Sequence, residues 1–179
     1  EVISRETGKP FWEARTEVAA MRAKIDITLG EGLEPVRERC FEAATGQLAR
    51  WRAHAQGVLA VLGPFNFPGH LPHSHIAPAL ALGNCVVFKP SEGAAAVGQL
   101  YASLAADAGF PPGVFNLVQG EGASGAALAA HPDVDGVLFT GSYAVGRRIL
   151  EQTLDQPHKV VALEMGGKNS VLVCADADL

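Results

Sequence analysis

Four short stretches combine residue types that do chemistry with the glycines and prolines that hold a chain in place. In Leu163-Glu164-Met165-Gly166-Gly167 a carboxylate closes an apolar run. It is a candidate general base, and partial burial would raise its pKa towards neutrality. In Gly63-Pro64-Phe65-Asn66-Phe67-Pro68-Gly69 the amide of Asn66 is set between aromatics and prolines, where a fixed side chain can donate a hydrogen bond to a developing oxyanion. In Phe88-Lys89-Pro90-Ser91-Glu92 a lysine and a carboxylate three residues apart can both reach the ribose hydroxyls of a dinucleotide. A carboxylate there repels a 2′-phosphate, which favours NAD over NADP. In Phe139-Thr140-Gly141-Ser142-Tyr143-Ala144-Val145-Gly146 a strand gives way to a helix capped by Ser142, whose free N–H groups suit a pyrophosphate.

Each stretch also has a plainer reading. Glu164 would be a surface turn carboxylate, and Asn66 an amide that satisfies its own turn backbone. Ser91 would simply cap a helix with Glu92 in its first turn, and Ser142 would do the same for the next one. The spacing Gly141-Ser142-x-x-x-Gly146 is not the G-x-G-x-x-G fingerprint. Residue by residue, both readings stand.

His70, His73 and His75 form an H-x-x-H-x-H pattern that matches no recurring zinc site, so no metal is expected. A turn and helix start lined with polar rings facing a substrate is the better reading. The three cysteines, Cys40, Cys85 and Cys174, are odd in number and far apart, which gives no disulfide framework. A reducing cytoplasm fits them. The chain is 48% hydrophobic and 18% charged with net charge −5, so it reads as globular. A net negative charge argues against nucleic acid or an anionic membrane as partner. No apolar run is long enough to span a bilayer, and the start does not read as a signal peptide.

The elements that must position these residues follow from the apolar pattern. Runs at 57–62, 85–88, 114–118, 136–139, 160–163 and 170–174 are rich in Val and Leu, as strands buried on both faces are. Ala- and Leu-rich stretches of helical length lie between the first five, at about 71–82, 94–109, 122–131 and 142–154. The alternation predicts an α/β fold, a Rossmann-like parallel sheet with helices on both faces. Ligands then bind outside the carboxyl ends of the strands, where Asn66, Lys89, Glu92, Gly141, Ser142 and Glu164 fall. Residues 1–29 read as helix interrupted at Pro10, and 30–56 as a connection with a surface helix. The expected division is an N-terminal helical segment (1–56), a dinucleotide-binding domain (57–169) and the start of a further domain (170–179).

Taken together, in this order and spacing, the motifs resemble the aldehyde dehydrogenase superfamily, as does Arg5-Glu6-Thr7-Gly8-Lys9-Pro10. The resemblance implies that Asn66 stabilises an oxyanion and that Glu164 is the general base. It implies that Lys89, Ser91 and Glu92 hold the adenosine ribose of NAD, and that Gly141, Ser142 and Gly146, with Phe139 beside them, form the pyrophosphate turn. The substrate would be a small-molecule aldehyde and the full-length protein a homo-oligomer. Segment 66–76, rich in histidine, resembles one branch of the superfamily that oxidises an anionic semialdehyde, and so does 5–18. Glu1 is not a methionine, and the last residues read as the entry to an undelivered helix, so the chain is expected to be part of a longer protein. The nucleophilic cysteine is expected a few tens of residues beyond Glu164, in a stretch like F-x-x-x-G-Q-x-C. None of Cys40, Cys85 and Cys174 matches that pattern, and the 179 residues alone are expected to give no turnover.

Overall fold

The structure, a computed structural model, describes residues 1–167 and 169–178; Leu179, the end of the expected segment 170–179, lies outside them. Five strands form one parallel sheet: β3 (Val58–Leu62), β4 (Cys85–Lys89), β5 (Phe115–Leu117), β6 (Gly136–Gly141) and β7 (Val160–Met165). Their order across the sheet is β5-β4-β3-β6-β7. Helix α3 (His70–Ala81) links β3 to β4, α4 (Ala95–Asp107) links β4 to β5, α5 (Gly122–Ala130) precedes β6, and α6 (Tyr143–Thr153) links β6 to β7. The pattern of five apolar runs and four intervening helices is therefore the fold.

Alternation along the central strand explains the two layers. Leu59 and Val61 of β3 pack with Ile76, Ala79, Val86 and Phe88 on the α3 side. Ala60 and Leu62 pack with Ala129, Val137, Phe139 and Ile149 on the α5 and α6 side. A strand covered on both faces has no polar face to show, which is why its run is continuously apolar.

The N-terminal region differs from expectation. Residues 1–29 are two helices, α1 (Val2–Thr7) and α2 (Phe11–Leu29), separated by Gly8-Lys9-Pro10. Helix α1 packs through Ile3 on Val97 of α4, with Ala14 of α2 completing the cluster. Residues 30–56 do not hold the expected surface helix. They form a 3-10 turn, Glu31–Val36, and an antiparallel hairpin, β1 (Arg39–Glu42) with β2 (Leu48–Trp51). A short Gly-containing link favours a hairpin, and Ala43 N–H donates to Gln47 O across it at 2.8 Å. The hairpin rests on no core, so its faces carry no apolar alternation to read. The sixth run is also not a strand: 170–174 has no partner in the sheet among the described residues, and Leu172 is 90% exposed. Parallel pairing needs a neighbour to bond to, and an apolar run alone does not supply one. Among the described residues no helix is long and apolar enough to cross a membrane.

Candidate active site

Strands β3 and β6 are neighbours, yet the chain leaves them in opposite directions. After β3 it passes through α3 to β4; after β6 it passes through α6 to β7 on the other side. The loops at their carboxyl ends diverge and open a crevice, the position at which such sheets bind ligands. Two cavities, of about 760 and 330 Å³, lie there and share Pro64, Thr140 and Gly141 as a common wall.

The larger cavity brings together Asn66 and Glu164, which are far apart in sequence. Asn66 Oδ1 accepts from the N–H of Phe67 at 3.1 Å, which fixes the amide and leaves the two Nδ2 hydrogens for a ligand. Glu164 sits on β7 opposite Thr140 of β6. Its side chain is exposed, so burial does not raise its pKa here, because β7 is the sheet edge on that side among the described residues. His75 of α3 lines the same cavity, with Nε2 3.4 Å from Thr140 Oγ1. Burial holds the His75 pKa below the ordinary histidine value, against the opposing pull of Glu164 and with a smaller push from Lys24. Burial thus favours the neutral ring of His75, which can exchange hydrogen bonds with Thr140.

The smaller cavity collects Lys89, Ser91, Glu92, Phe139, Gly141 and Ser142. Lys89 is buried; its ammonium donates to Pro90 O at 2.9 Å and lies 3.8 Å from Glu92 Oε2. An ammonium has three donors, so capacity remains for a ligand oxygen. Ser91 Oγ accepts from Gly93 N–H at 3.3 Å and so places Glu92, whose side chain is 65% exposed, at the rim. Ser142 caps α6, accepting from Val145 N–H at 3.4 Å. Phe139 and Ile149 give an apolar floor, and the starts of α5 and α6 both open on it. A buried ammonium, a rim carboxylate and a helix N-terminus over an apolar floor suit the hydroxyls, phosphates and flat rings of a dinucleotide.

The whole chain, residues 1–179, matches the aldehyde dehydrogenase family. The chain belongs to that family. It is 51% identical over 178 residues to an N-succinylglutamate 5-semialdehyde dehydrogenase of Burkholderia mallei, covering 99% of this chain and 36% of that protein. Among solved structures it is similar to an aldehyde dehydrogenase of Brucella melitensis biovar abortus, with TM-score 0.84 and 33% identity over 93% of this chain and 34% of that one. An E. coli structure described as an NADP dependent enzyme has the same TM-score, 0.84, with 33% identity over 93% of this chain and 34% of the other. The chain therefore spans about a third of the length of these relatives. Aldehyde dehydrogenases use NAD(P), and membership of the family does not choose between the two forms.

Some expected residues of the family pattern lie elsewhere. Gly146 does not line the cleft: it is buried, and a Cβ there would run into Met165 Sδ and come within 3.3 Å of Phe139. It lets α6 lie close on β7, so it holds the turn from behind. Of the three histidines only His75 lines a cavity of the cleft. His73 is buried with Nδ1 2.6 Å from the Tyr101 hydroxyl, and His70 Nδ1 is enclosed without a partner among the described residues. The cysteines are outside the cleft too. Cys40 is on the hairpin, Cys174 is exposed beyond β7, and Cys85 pairs with Val58 at the opposite end of the sheet.

The sequence reading missed the residues that hold these loops from the N-terminal helices. Glu17 of α2 is buried, and its Oε1 accepts from Gly69 N–H at 2.9 Å and His70 N–H at 3.0 Å, capping α3 from another helix. Glu6 of α1 does the same for α4, accepting from Ala96 and Val97 N–H at 2.8 and 2.7 Å. One signal was available. Glu17 follows Ala14 by three and precedes Met21 by four, which puts a carboxylate on the face α2 buries.

Proposed function

We propose that this chain is the cofactor-holding part of an enzyme that oxidises an aldehyde to a carboxylic acid with NAD, and that the aldehyde is N-succinyl-L-glutamate 5-semialdehyde, in arginine catabolism. The observation that carries the activity is the joining of two cavities at one switch point: Asn66 and Glu164 in one, Lys89, Glu92 and Ser142 in the other. A pure nucleotide-binding domain needs the second set and not the first.

Lys89, Ser91 and Glu92 would hold the adenosine ribose, Gly141 and Ser142 the pyrophosphate, and Phe139 with Gly146 would support that turn. The bound nicotinamide supplies the hydride acceptor. Asn66 lines the cavity in which the substrate carbonyl would lie, and its free Nδ2 hydrogens would stabilise negative charge developing on that oxygen. Glu164, an exposed carboxylate at the edge of the same cavity, takes a proton from the water that releases the acid. We read 1–56 as an N-terminal segment whose two helices, within 1–29, clasp the binding domain 57–169, with 170–179 leading into another domain. The exposed hairpin, with Leu48 82% exposed, supports a homo-oligomer of the full-length protein. We place that protein in the cytoplasm.

Because no cysteine of the described chain reaches the cleft, the 179-residue polypeptide should give no aldehyde-dependent NADH. The full-length protein, assayed on a panel of aldehydes, should prefer N-succinylglutamate semialdehyde with NAD. Equal use of unrelated small aldehydes would overturn the substrate, and NADH production by the 179 residues alone would overturn the placement of the nucleophile. Glu92 carries the cofactor choice. Glu92→Gln should raise kcat/KM for NADP relative to NAD by about tenfold, the scale of one like-charge contact removed.

A further inference from the structure

We infer that Lys9 and Glu17, on the N-terminal side of the molecule, are positioning residues for Asn66; the inference rests on the oxyanion role proposed above. The loop that carries Asn66 has few bonds of its own. Asn66, Phe65 and Phe67 are exposed, and the amide is fixed only through the N–H of Phe67. Phe67 O accepts from Leu71 N–H at 3.3 Å, and what holds the Phe67 ring comes from outside the loop. Lys9 Nζ stands 3.4 Å from the centroid of the Phe67 ring, a cation over an aromatic face. The same ammonium is 3.0 Å from Glu17 Oε2 and 3.7 Å from Glu13 Oε1, and its side chain is only 12% exposed. Glu17 then fixes the other side of the loop, because Oε1 accepts from Gly69 and His70 N–H.

One ion pair therefore grips the loop at Phe67 and again at Gly69 and His70. Between the two grips lies only Pro68, which is fully buried, and Asn66 precedes the first. Gly69 makes the approach possible: a Cβ there would stand 2.8 Å from Met21 Sδ and 3.3 Å from Glu17 Oε1. Both carboxylate oxygens of Glu17 are engaged, and its side chain has no exposed surface, so the charge is held in one place. A donor to a transition-state oxyanion works only when its position is set beforehand, and a small displacement costs rate rather than binding. Lys9 and Glu17 touch no part of the cleft; they act through Phe67 and the start of α3.

The test uses the full-length enzyme. Lys9→Met keeps the length of the side chain and removes the charge. It should lower kcat by about ten- to a hundredfold while leaving the Kd for NAD unchanged, and Lys9→Arg should restore most of the loss. Asn66→Ala should lower kcat at least as much. In the Asn66→Ala background Lys9→Met should then have almost no further effect, because the group it positions is gone. Should Lys9→Met not fold, Phe67→Leu keeps an apolar side chain, removes the ring face and carries the same expectations. A Lys9→Met or Phe67→Leu enzyme within twofold of the parent in kcat would overturn the inference. So would an equal fractional loss with and without Asn66, which is what general destabilisation produces. Full activity of Asn66→Ala would overturn the oxyanion reading, and the inference with it. Loss in Asn66→Ala without loss in Lys9→Met and Phe67→Leu overturns the inference alone.

Discussion

The two ends of the parallel sheet carry the same kinds of polar side chain and use them in opposite ways. At the amino end, Asn84 Oδ1 accepts from Gln56 and Gly57 N–H at 2.7 and 3.0 Å, and its Nδ2 donates to Ala79 O. Asp135 accepts from Val58 N–H at 2.8 Å, and Lys159 donates to Ala129 O and His131 O. Each of these groups is matched to backbone: Asn84 ties the start of β4 to the start of β3 and to the end of α3, Asp135 ties the start of β6 to β3, and Lys159 ties the start of β7 to the end of α5. At the carboxyl end, Asn66 keeps both amide hydrogens, Glu164 is exposed, and Lys89 has one backbone acceptor for three donors. An amide, a carboxylate and an ammonium are thus structural at one end and open at the other. Residue type does not decide the role; what surrounds it does, and the switch point between β3 and β6 leaves the carboxyl-end groups with hydrogen-bonding capacity to spare.

The sharpest way to break this comparison is to remove one group at each end. Glu164→Gln in the full-length enzyme should lower turnover by about a hundred- to ten-thousandfold, the range for loss of a general base. The denaturation midpoint should not move, because an exposed side chain with no bonded partner among the described residues holds nothing together. Steady-state kinetics and thermal melting on the same preparation check both halves. A melting point that falls with activity would mean that Glu164 is a structural group after all.

Asn84→Ala is the converse. It leaves the N–H groups of Gln56 and Gly57 without their acceptor, while Ala79 O keeps the backbone N–H of residue 84, so stability should fall by about 1–3 kcal/mol. Chemical denaturation reads the loss. The Kd for NAD should stay where it was, since Asn84 lies at the far end of the sheet from both cavities.

This contrast also explains what the sequence made legible. Five strands and four helices of the binding domain were readable because a strand buried on both faces must be apolar throughout, as β3 is. Asn66, Lys89, Glu92, Ser142 and Glu164 were readable as a set because strand ends and Gly-Pro turns mark where a parallel sheet exposes polar groups. Their burial was not, since it depends on neighbours: Glu164, open to a partly buried or a surface reading, is exposed, while Lys89 beside the rim carboxylate Glu92 is buried. The hairpin at 39–51 was missed because it meets no core, and the run at 170–174 was over-read because apolar composition does not name a partner strand. Glu6 and Glu17 were missed for a related reason. A side chain that caps a helix some ninety or fifty residues away leaves no local spacing to find.

The smallest effect tests whether the cleft groups act on one another at all. His75 and His73 both have pKa values held below 6.5 by burial, but only His75 is pulled back up by Glu164. Removing that carboxylate charge with Glu164→Gln should therefore lower the His75 pKa further and leave His73 where it is, a built-in control read by NMR titration of the two rings. The sign carries over to stability. A histidine neutral in the fold and protonated in the unfolded chain leaves stability complete above pH 6.5 and diminishes it as pH falls through the interval down to the folded-state pKa. Glu164→Gln widens that interval at its lower edge, so the variant should lose more stability than the parent on acidification below pH 6.5, with no difference above it. Parallel titration of His75 in parent and variant would break the pairing of the two residues inside the larger cavity. A downward shift confined to His75 would show that the open end of the sheet is one electrostatic unit, in contrast to the separately bonded groups at its other end.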